Sequence, residues 1–252
     1  MANTIDTMEP EAILRGIIDG SLTELVDDVA TSINERRFSN FTNLKSLSLM
    51  AVLTINSYSF LSCTSLEHLD IPKADSATNY VTSSFRECTA LEYLVLPSFT
   101  KGSSYIFYIC SSLRGVDLGN VGTIGVYWFQ RCTVLNTLVL RRTAGITNLN
   151  GSVFDGTPFA NGGSGGTIYI PKTYYDHLGD GTSMDYKTST NWATLDGYGT
   201  VTWMPIEGSQ YENYYVDGTP INSVGGVILN LCIYILIKYI CNSPSGRRWH
   251  NG

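Results

Sequence analysis

The 252-residue chain is poor in charged side chains and has no extended cluster of basic residues. Asp, Glu, Lys and Arg make up 15% of it, against about a quarter in an average soluble protein. Ser, Thr, Asn, Gly and the 16 Tyr must therefore supply most of the polar surface. The formal net charge is −6, whereas binding to nucleic-acid phosphates needs a surplus of Lys and Arg on one face. We predict no nucleic-acid partner and a surface suited to contact with other surfaces.

The sequence also lacks a segment typical of export or of a membrane span. The first 20 residues have neither a basic leader nor a continuous apolar stretch, so they do not resemble a signal peptide. The apolar run from Val227 to Ile240 contains Asn230 and Lys238, and it is shorter than the about 20 residues of a spanning helix. We expect synthesis in a cytoplasm, or export without such a signal, and a buried helix or strand at residues 227–240.

Motifs for catalysis or metal binding are missing too. The three histidines are not at metal-ligand spacing with Cys or with one another. The glycine-rich segment 161–166 lacks the Lys-Ser/Thr pair of a phosphate-binding loop. Asp176, His177 and Ser183 are not accompanied by the nucleophile elbow that would favour a catalytic triad. We therefore predict no enzyme activity, no metal and no cofactor.

What the sequence does contain is a repeat of the form F-x-x-C-T-x-L-x-x-L-x-L-P. The spacings between its six copies are 22, 25, 22, 22 and 25 residues. An apolar residue usually stands five positions before the Phe, although Gly102 interrupts that column. A repeat of this length is typical of a solenoid. The copies, of which the last is degenerate, begin at Phe38, Phe60, Phe85, Phe107, Phe129 and Phe154.

Each copy predicts one short strand and one buried turn. The L-x-x-L-x-L part alternates apolar and polar residues, as in a strand with one buried face. Pro72, Pro97 and Pro171 follow three of these strands because proline cannot continue a ladder. A single coil buries about five apolar side chains at roughly 1.5–3 kcal/mol each, which does not offset an ordering cost of roughly 1.5 kcal/mol per residue. Stacked coils must supply the remaining burial through parallel strands and a shared interior.

Four of the six cysteines occupy one position of the repeat: Cys63, Cys88, Cys110 and Cys132. One residue per coil places these thiols along the stack and not around a point, so neither a disulfide framework nor a metal site fits. We predict four buried free thiols that act as small apolar side chains.

The polar residues of the strands predict an exposed ledge. They form three columns. Strands of neighbouring coils lie about 4.8 Å apart, so five of them make a surface roughly 20 Å long. A solvated sheet face is one interpretation, and a partner-binding face is the other, because solenoids present extended surfaces. The candidate partner-binding residues are Glu67, His68, Asp70, Glu92, Tyr93, Arg114 and Asp117. A second aromatic group around the Phe column comprises Tyr58, Tyr105, Tyr108, Tyr127 and Trp128.

The ends of the repeat array suggest four parts of the chain. Atypical ends are expected because they shield the open core of a stack. The parts are an N-terminal helix ending at Gly20 with a capping strand (1–37), a solenoid of about six coils (38–171), a small α/β cap anchored by Trp192 and Trp203 (172–205), and an extended tyrosine-rich arm with an apolar tail (206–252).

Over roughly residues 21 to 171 the repeat resembles the BspA-like (Treponema pallidum type) class of leucine-rich repeats. The resemblance implies a right-handed leucine-rich-repeat solenoid with one short parallel strand per coil. It also implies a role in adhesion, surface binding or virion structure, and it brings no catalytic residue. The continuation IYIPKTYYDHL, followed by KTSTNW, is similar to the closing segment of such proteins encoded by phages and prophages of gut bacteria. Phe41, where Cys is expected, and the apolar tail depart from the pattern.

We expect a non-catalytic binding or structural protein of a phage virion, as a tail or head decoration, which binds a protein or a cell-surface glycan. An oligomer within the virion is a further option. A bacterial cell-surface adhesin of the same repeat class is the alternative. An enzyme with its site in the C-terminal part of the chain is the third class.

Overall fold

A computed structural model describes residues 15–27, 29–75, 81–142, 148–149, 152–188, 201–212, 215–216 and 219–220. The helical elements are a turn at residues 15–18, α1 (Lys172–Tyr175) and a 3-10 turn at Tyr186–Thr188. The strands, in chain order, are β1 (Glu24–Val26), β2 (Ser32–Ile33), β3 (Ser46–Ser48), β4 (Thr54–Ile55), β5 (His68–Asp70), β6 (Tyr93–Val95), β7 (Gly115–Asp117), β8 (Thr123–Ile124), β9 (Thr137–Val139), β10 (Asn148–Leu149), β11 (Gly166–Ile170), β12 (Val201–Pro205), β13 (Tyr215–Val216) and β14 (Thr219–Pro220).

The L-x-x-L-x-L segments form a parallel strand wall, as the repeat predicts. It consists of two sheets, β1-β3-β5 and β6-β7-β9-β11-β12, and the register pairs equivalent residues of successive coils, such as Leu47 with Leu69 and Val116 with Leu138. These central residues point inward and are buried. The predicted leucine-rich-repeat solenoid is confirmed for this part of the chain, because each coil contributes one short strand in phase with the next.

After each strand of the strand wall, the chain passes through a second wall with shorter strands. It is built from the parallel pairs β2-β4 and β8-β10. Single bridges from Thr54 to Asp75 and from Lys101 to Thr123 continue the same parallel contacts between coils. The apolar residue five positions before the Phe belongs to this wall, and Ile33, Ile55 and Ile124 are buried there.

The Phe residues lie in a third wall, which we call the Phe wall (from two residues before each Phe to two residues after it). Here the amides of the first five Phe residues donate to carbonyls of the next coil, as from Phe38 to Ser59 at 2.9 Å and from Phe107 to Trp128 at 2.9 Å. In five coils the residues two positions before and two positions after the Phe have φ between 53° and 65°, a region that few residues other than Gly adopt. These pairs are Arg36 and Asn40, Tyr58 and Ser62, Ser83 and Glu87, Tyr105 and Ile109, and Tyr127 and Arg131.

The core between the walls is a stack of aromatic rings and thiols. The six Phe rings that begin the copies stack in order, with centroids 5.3–5.6 Å apart and planes 2–11° from parallel. All six are buried. Each ring therefore covers the next one along the axis, which supplies the shared interior that a single coil lacks.

The cysteine column is buried and free of disulfides, as predicted. Each thiol also donates to the carbonyl of the Phe one coil earlier, at 2.9–3.1 Å. In the first copy Phe41 stands at the position of the Cys. The Phe41 ring instead packs edge-on against Phe38, with centroids 5.9 Å apart.

The described parts of both ends adjoin the repeat array. At the N-terminus the helical turn leads to Gly20, whose φ is +77°, and the Leu22 amide donates to the Gly16 carbonyl. At the C-terminus β11 and β12 extend the strand wall, and Trp203 is buried at its end. Trp192 and the apolar run at 227–240 lie outside the described residues. No described helix has the length and apolar character that crossing a bilayer requires.

The prediction of an extended arm from residue 206 is wrong for residues 206–212. This segment folds back onto the outer side of the strand wall, where Ile206 and Tyr211 are buried against Val139. The Tyr211 ring packs edge-on against Tyr169 at 4.5 Å. The outward side chains of Val139 and Tyr169 are the physical reason, because packing this segment against them removes apolar surface from water.

Candidate functional site

The register places the polar strand residues in the three columns predicted from the repeat. One column precedes the strands, and the first and third residues of each strand form the other two. The columns are Lys45, Glu67, Glu92, Arg114 and Asn136; Ser46, His68, Tyr93, Gly115 and Thr137; and Ser48, Asp70, Val95, Asp117 and Val139.

The first column is exposed and carries charges that cancel in pairs. Lys45 Nζ lies 3.8 Å from Glu67 Oε1, and Arg114 Nε lies 3.8 Å from Glu92 Oε2. Exposed pairs of this kind add little stability, about 0–1 kcal/mol. Their effect is on the surface potential: the column runs positive, negative, negative, positive, so it presents no net charge to a partner.

The second column holds one large exposed aromatic side chain. Tyr93 is 39% exposed, and its ring lies across Gly115 of the next coil. A Cβ on Gly115 would be 2.8 Å from Tyr93 Cε1 and 2.9 Å from Tyr93 Cδ1, so any other residue at position 115 would displace the ring. Because Gly115 has no side chain, the Tyr93 ring can lie against the backbone of the sheet.

Beside this ring are His68 and Asp70, both half-buried on β5. Burial raises the pKa of the Asp70 carboxyl, and the neighbouring His68 opposes that shift. Both side chains remain accessible at the surface, so the structure leaves them available to a partner.

Asp117 differs, and its prediction as an exposed contact residue is wrong. It is 4% exposed, and its Oδ2 lies 2.7 Å from Arg141 Nε while its Oδ1 accepts from the Gly119 amide at 3.0 Å. Burial raises the pKa of Asp117, and Arg141 opposes the shift. Arg141 also donates to the Tyr211 carbonyl at 2.8 Å, so Asp117 helps to anchor the segment that covers this half of the face.

The strand wall is interrupted beside Tyr93. Where the strands of two coils pair, the carbonyl of the residue before one strand accepts from two successive amides of the next coil. The Lys45 carbonyl accepts from Glu67 and His68, and the Glu92 carbonyl accepts from Arg114 and Gly115. Within the described part of the chain no such bond joins β5 to β6, and the sheet is divided between them. The 25-residue spacing from Phe60 to Phe85 accompanies the break. The same spacing separates Phe129 from Phe154, but β9 and β11 are paired there, so the spacing in the sequence does not by itself predict a break in the sheet.

Six of the seven predicted residues therefore lie together on the uncovered part of the strand wall. We call this set the open face: Glu67, His68, Asp70, Glu92, Tyr93 and Arg114. The break in the ladder runs through its middle, with β5 on one side and β6 on the other.

The second aromatic group lies mostly on the Phe wall. Tyr105 and Tyr127 stack with centroids 4.9 Å apart, and the guanidinium groups of Arg36 and Arg86 lie over the rings of Tyr58 and Tyr108. These tyrosines are half-buried, and each ring already packs against another side chain of the protein. Trp128 belongs to the core: it is fully buried, and its Nε1 donates to the Ser103 carbonyl at 2.8 Å.

The described residues contain no group of three or more His, Cys, Asp or Glu side chains placed to hold a metal ion. The open face presents one aromatic plane, the exposed charges of Glu67, Glu92 and Arg114, and a half-buried His and Asp.

Comparison with known proteins agrees with this fold. Residues 31–161, just over half of the chain, match the BspA type leucine rich repeat region in six copies. Similar solved structures are a leucine-rich repeat protein of Treponema pallidum (21% identity, 47% of this chain and 58% of that chain, TM-score 0.41), a leucine-rich cell surface protein of Faecalibacterium prausnitzii (16%, 60% and 55%, 0.34) and a leucine-rich repeat protein of Bacteroides ovatus (14%, 59% and 55%, 0.31). The chain spans less than two thirds of each of these structures. No curated protein sequence matches it.

Proposed function

Because the chain belongs to the BspA-type leucine-rich repeat family, we propose that it is a non-catalytic binding protein whose open face contacts the partner. The observation that carries the proposal is the exposure of Glu67, Glu92, Tyr93 and Arg114 on one uncovered side of the strand wall. Tyr and Arg are favoured in binding surfaces because they combine large contact area with directional bonds.

The backbone beneath the open face supports this function. The Phe wall, the stacked rings and the thiol bonds fix each coil to its neighbours on the other sides of the stack. The contact residues are thus held in place before a partner arrives. Less order has to be imposed on binding, which lowers its entropic cost.

Two locations suit a protein of this kind. A phage virion is the location we propose first, because segment 168–178 is similar to the closing segment of repeat proteins encoded by phages of gut bacteria. A bacterial cell surface is the alternative, in which the same face acts as part of an adhesin. The description of the Faecalibacterium prausnitzii structure as a cell surface protein applies to that protein.

Fluorescently labelled full-length chain, applied to intact cells of the bacterium that carries the gene and of related gut bacteria, tests the binding function. We expect labelling of at least one strain, with Glu92→Ala/Tyr93→Ala/Arg114→Ala losing it and Tyr108→Ala/Gln130→Ala on the Phe wall retaining it. Equal loss in both variants, or robust turnover in a broad hydrolase screen, would contradict the proposal.

Location has its own measurement. Immunoblotting of purified phage particles and of washed cell surfaces from a producing culture separates the two options. Signal in the particles supports the virion, and signal confined to the cell surface rules it out in favour of the adhesin.

A further inference from the structure

We propose that the open face binds a neutral glycan, and that the Tyr93 ring on Gly115 is the platform on which one pyranose ring stacks. This inference rests on the proposed binding function and specifies the chemistry of the partner. A pyranose has a flat face of C–H bonds that packs on an aromatic plane, and a rim of hydroxyls that both donate and accept hydrogen bonds.

The Tyr93 ring is held against the sheet. Gly115 allows the Tyr93 ring to lie along the sheet surface, since a Cβ there would be within 3 Å of two ring carbons. A Tyr that projected freely from a strand would rotate, whereas this one rests on backbone. Tyr93 is 39% exposed, so part of its surface is accessible to a ligand.

Hydrogen-bonding groups of the backbone lie beside the ring. The Glu92 carbonyl accepts from the Gly115 amide of β7, so it points toward β7. Successive residues of a strand direct their backbone groups to opposite sides, so the amide and carbonyl of Tyr93 point toward β5. They make no bond to β5, because the ladder is divided there. Backbone polar groups need a partner, and sugar hydroxyls can serve as donor or acceptor. His68 and Asp70 add further polar atoms on the facing strand.

The charges beside the ring favour a neutral ligand. Lys45 is paired with Glu67, and Arg114 with Glu92, so these four charges cancel, and burial raises the pKa of Asp70, the remaining carboxyl of the open face. A neutral ligand fits this balance better than a sulfated polysaccharide or a charged peptide. Rungs along the stack repeat about every 4.8 Å, which is close to the length of one sugar unit in an extended glycan, so a chain lying along the axis would present one unit to each coil.

Affinity electrophoresis of the full-length chain through gels containing soluble neutral polysaccharides (amylopectin, mixed-linkage β-glucan and galactomannan) tests the inference. We expect at least one of them to slow migration, with Tyr93→Ala weakening the apparent binding roughly tenfold through loss of the aromatic contact. Gly115→Ala should weaken it as well, because the added Cβ displaces the ring. The matched control Tyr108→Ala removes the same side chain from the Phe wall and should bind as the parent does.

Three outcomes would overturn the inference: no neutral polysaccharide retards the chain, heparin alone retards it, or Tyr93→Ala binds as well as the parent. A folding failure is recognised by circular dichroism and by the denaturation midpoint, and Tyr93→Phe provides a variant that keeps the ring. If labelled protein still bound cells through the open face while no neutral polysaccharide retarded it, the glycan inference would fail and the binding function would stand.

Discussion

The indole ring of Trp128 fills the space that a side chain at Gly102 would need. A Cβ on Gly102 would lie 2.7 Å from Trp128 Cζ2 and 3.1 Å from Ile106 Cδ1. Gly102 is the residue that interrupts the apolar column before the Phe, and Trp128 comes from the following coil. A missing side chain in one coil is thus complemented by a large one in the next.

This complementarity predicts that Gly102→Val destabilises the protein by about 1–3 kcal/mol, as overpacking of a filled core does. Trp128→Leu should also be destabilising, because it loses ring contacts and the bond to the Ser103 carbonyl. The double variant should be more stable than the sum of the two effects implies, because the smaller Leu makes room for Val. Urea denaturation of all four proteins measures the coupling, and strictly additive effects would show that the two positions do not compete for space.

Truncating the stacked rings should be costly in the middle of the core. We expect Phe107→Ala to lower the free energy of unfolding by about 3–5 kcal/mol, as for other buried aromatic residues, because Phe107 is fully buried between Phe85 and Phe129. Tyr108→Ala, which removes a half-buried neighbour, should cost clearly less. Equal midpoints for the two variants in urea would mean that the Phe column is not the core.

The thiol column should make the protein sensitive to alkaline pH. Burial raises the pKa of Cys63 from 9.0 to about 12, and it also raises the pKa of Cys88 and Cys110. The native state keeps these thiols protonated while the unfolded chain ionises them above about pH 9. Their contribution is therefore complete below that pH, and it is lost as pH rises from about 9 toward 12, by up to about 1.4 kcal/mol per thiol and pH unit.

Comparison of the parent with Cys63→Ala isolates this effect from other titrating groups. The free energy of unfolding is measured in urea at about pH 8 and about pH 10.5, and the variant should lose less stability between the two values than the parent. Identical losses would show that Cys63 ionises as easily in the native state as in the unfolded chain.

The buried pair of Asp117 and Arg141 predicts an asymmetric response to mutation. Arg141→Met should destabilise the protein by about 3–5 kcal/mol, since it leaves a carboxylate buried without its counter-charge. Asp117→Asn/Arg141→Met should recover part of that loss, because no charge then remains to be buried. Thermal or urea denaturation gives both values, and a double variant less stable than Arg141→Met would contradict the interpretation.

The repeated features could be predicted from the sequence because each depends on one residue per coil in phase with its neighbours. The Phe, Leu and Cys columns and the strand register all follow from that rule. The burial of Asp117 could not be predicted, since alternation assigns it to the outer side, and its partner Arg141 is held in turn by a bond to Tyr211 of the non-repeating segment 206–212. The divided ladder beside Tyr93 was also missed, because backbone pairing there depends on how two coils of different length meet.

The backbone hydrogen bonds that join coils in the Phe wall run the same way, with amides donating to carbonyls of the following coil. Every unit therefore offers the same donors on one side and the same acceptors on the other. A duplicated unit of 22 or 25 residues, inserted in phase by recombination, would find matching partners above and below it. Growth or shrinkage of the gene by whole repeats is thus structurally neutral at the junctions, and the length of such a protein can evolve without redesign of its interior.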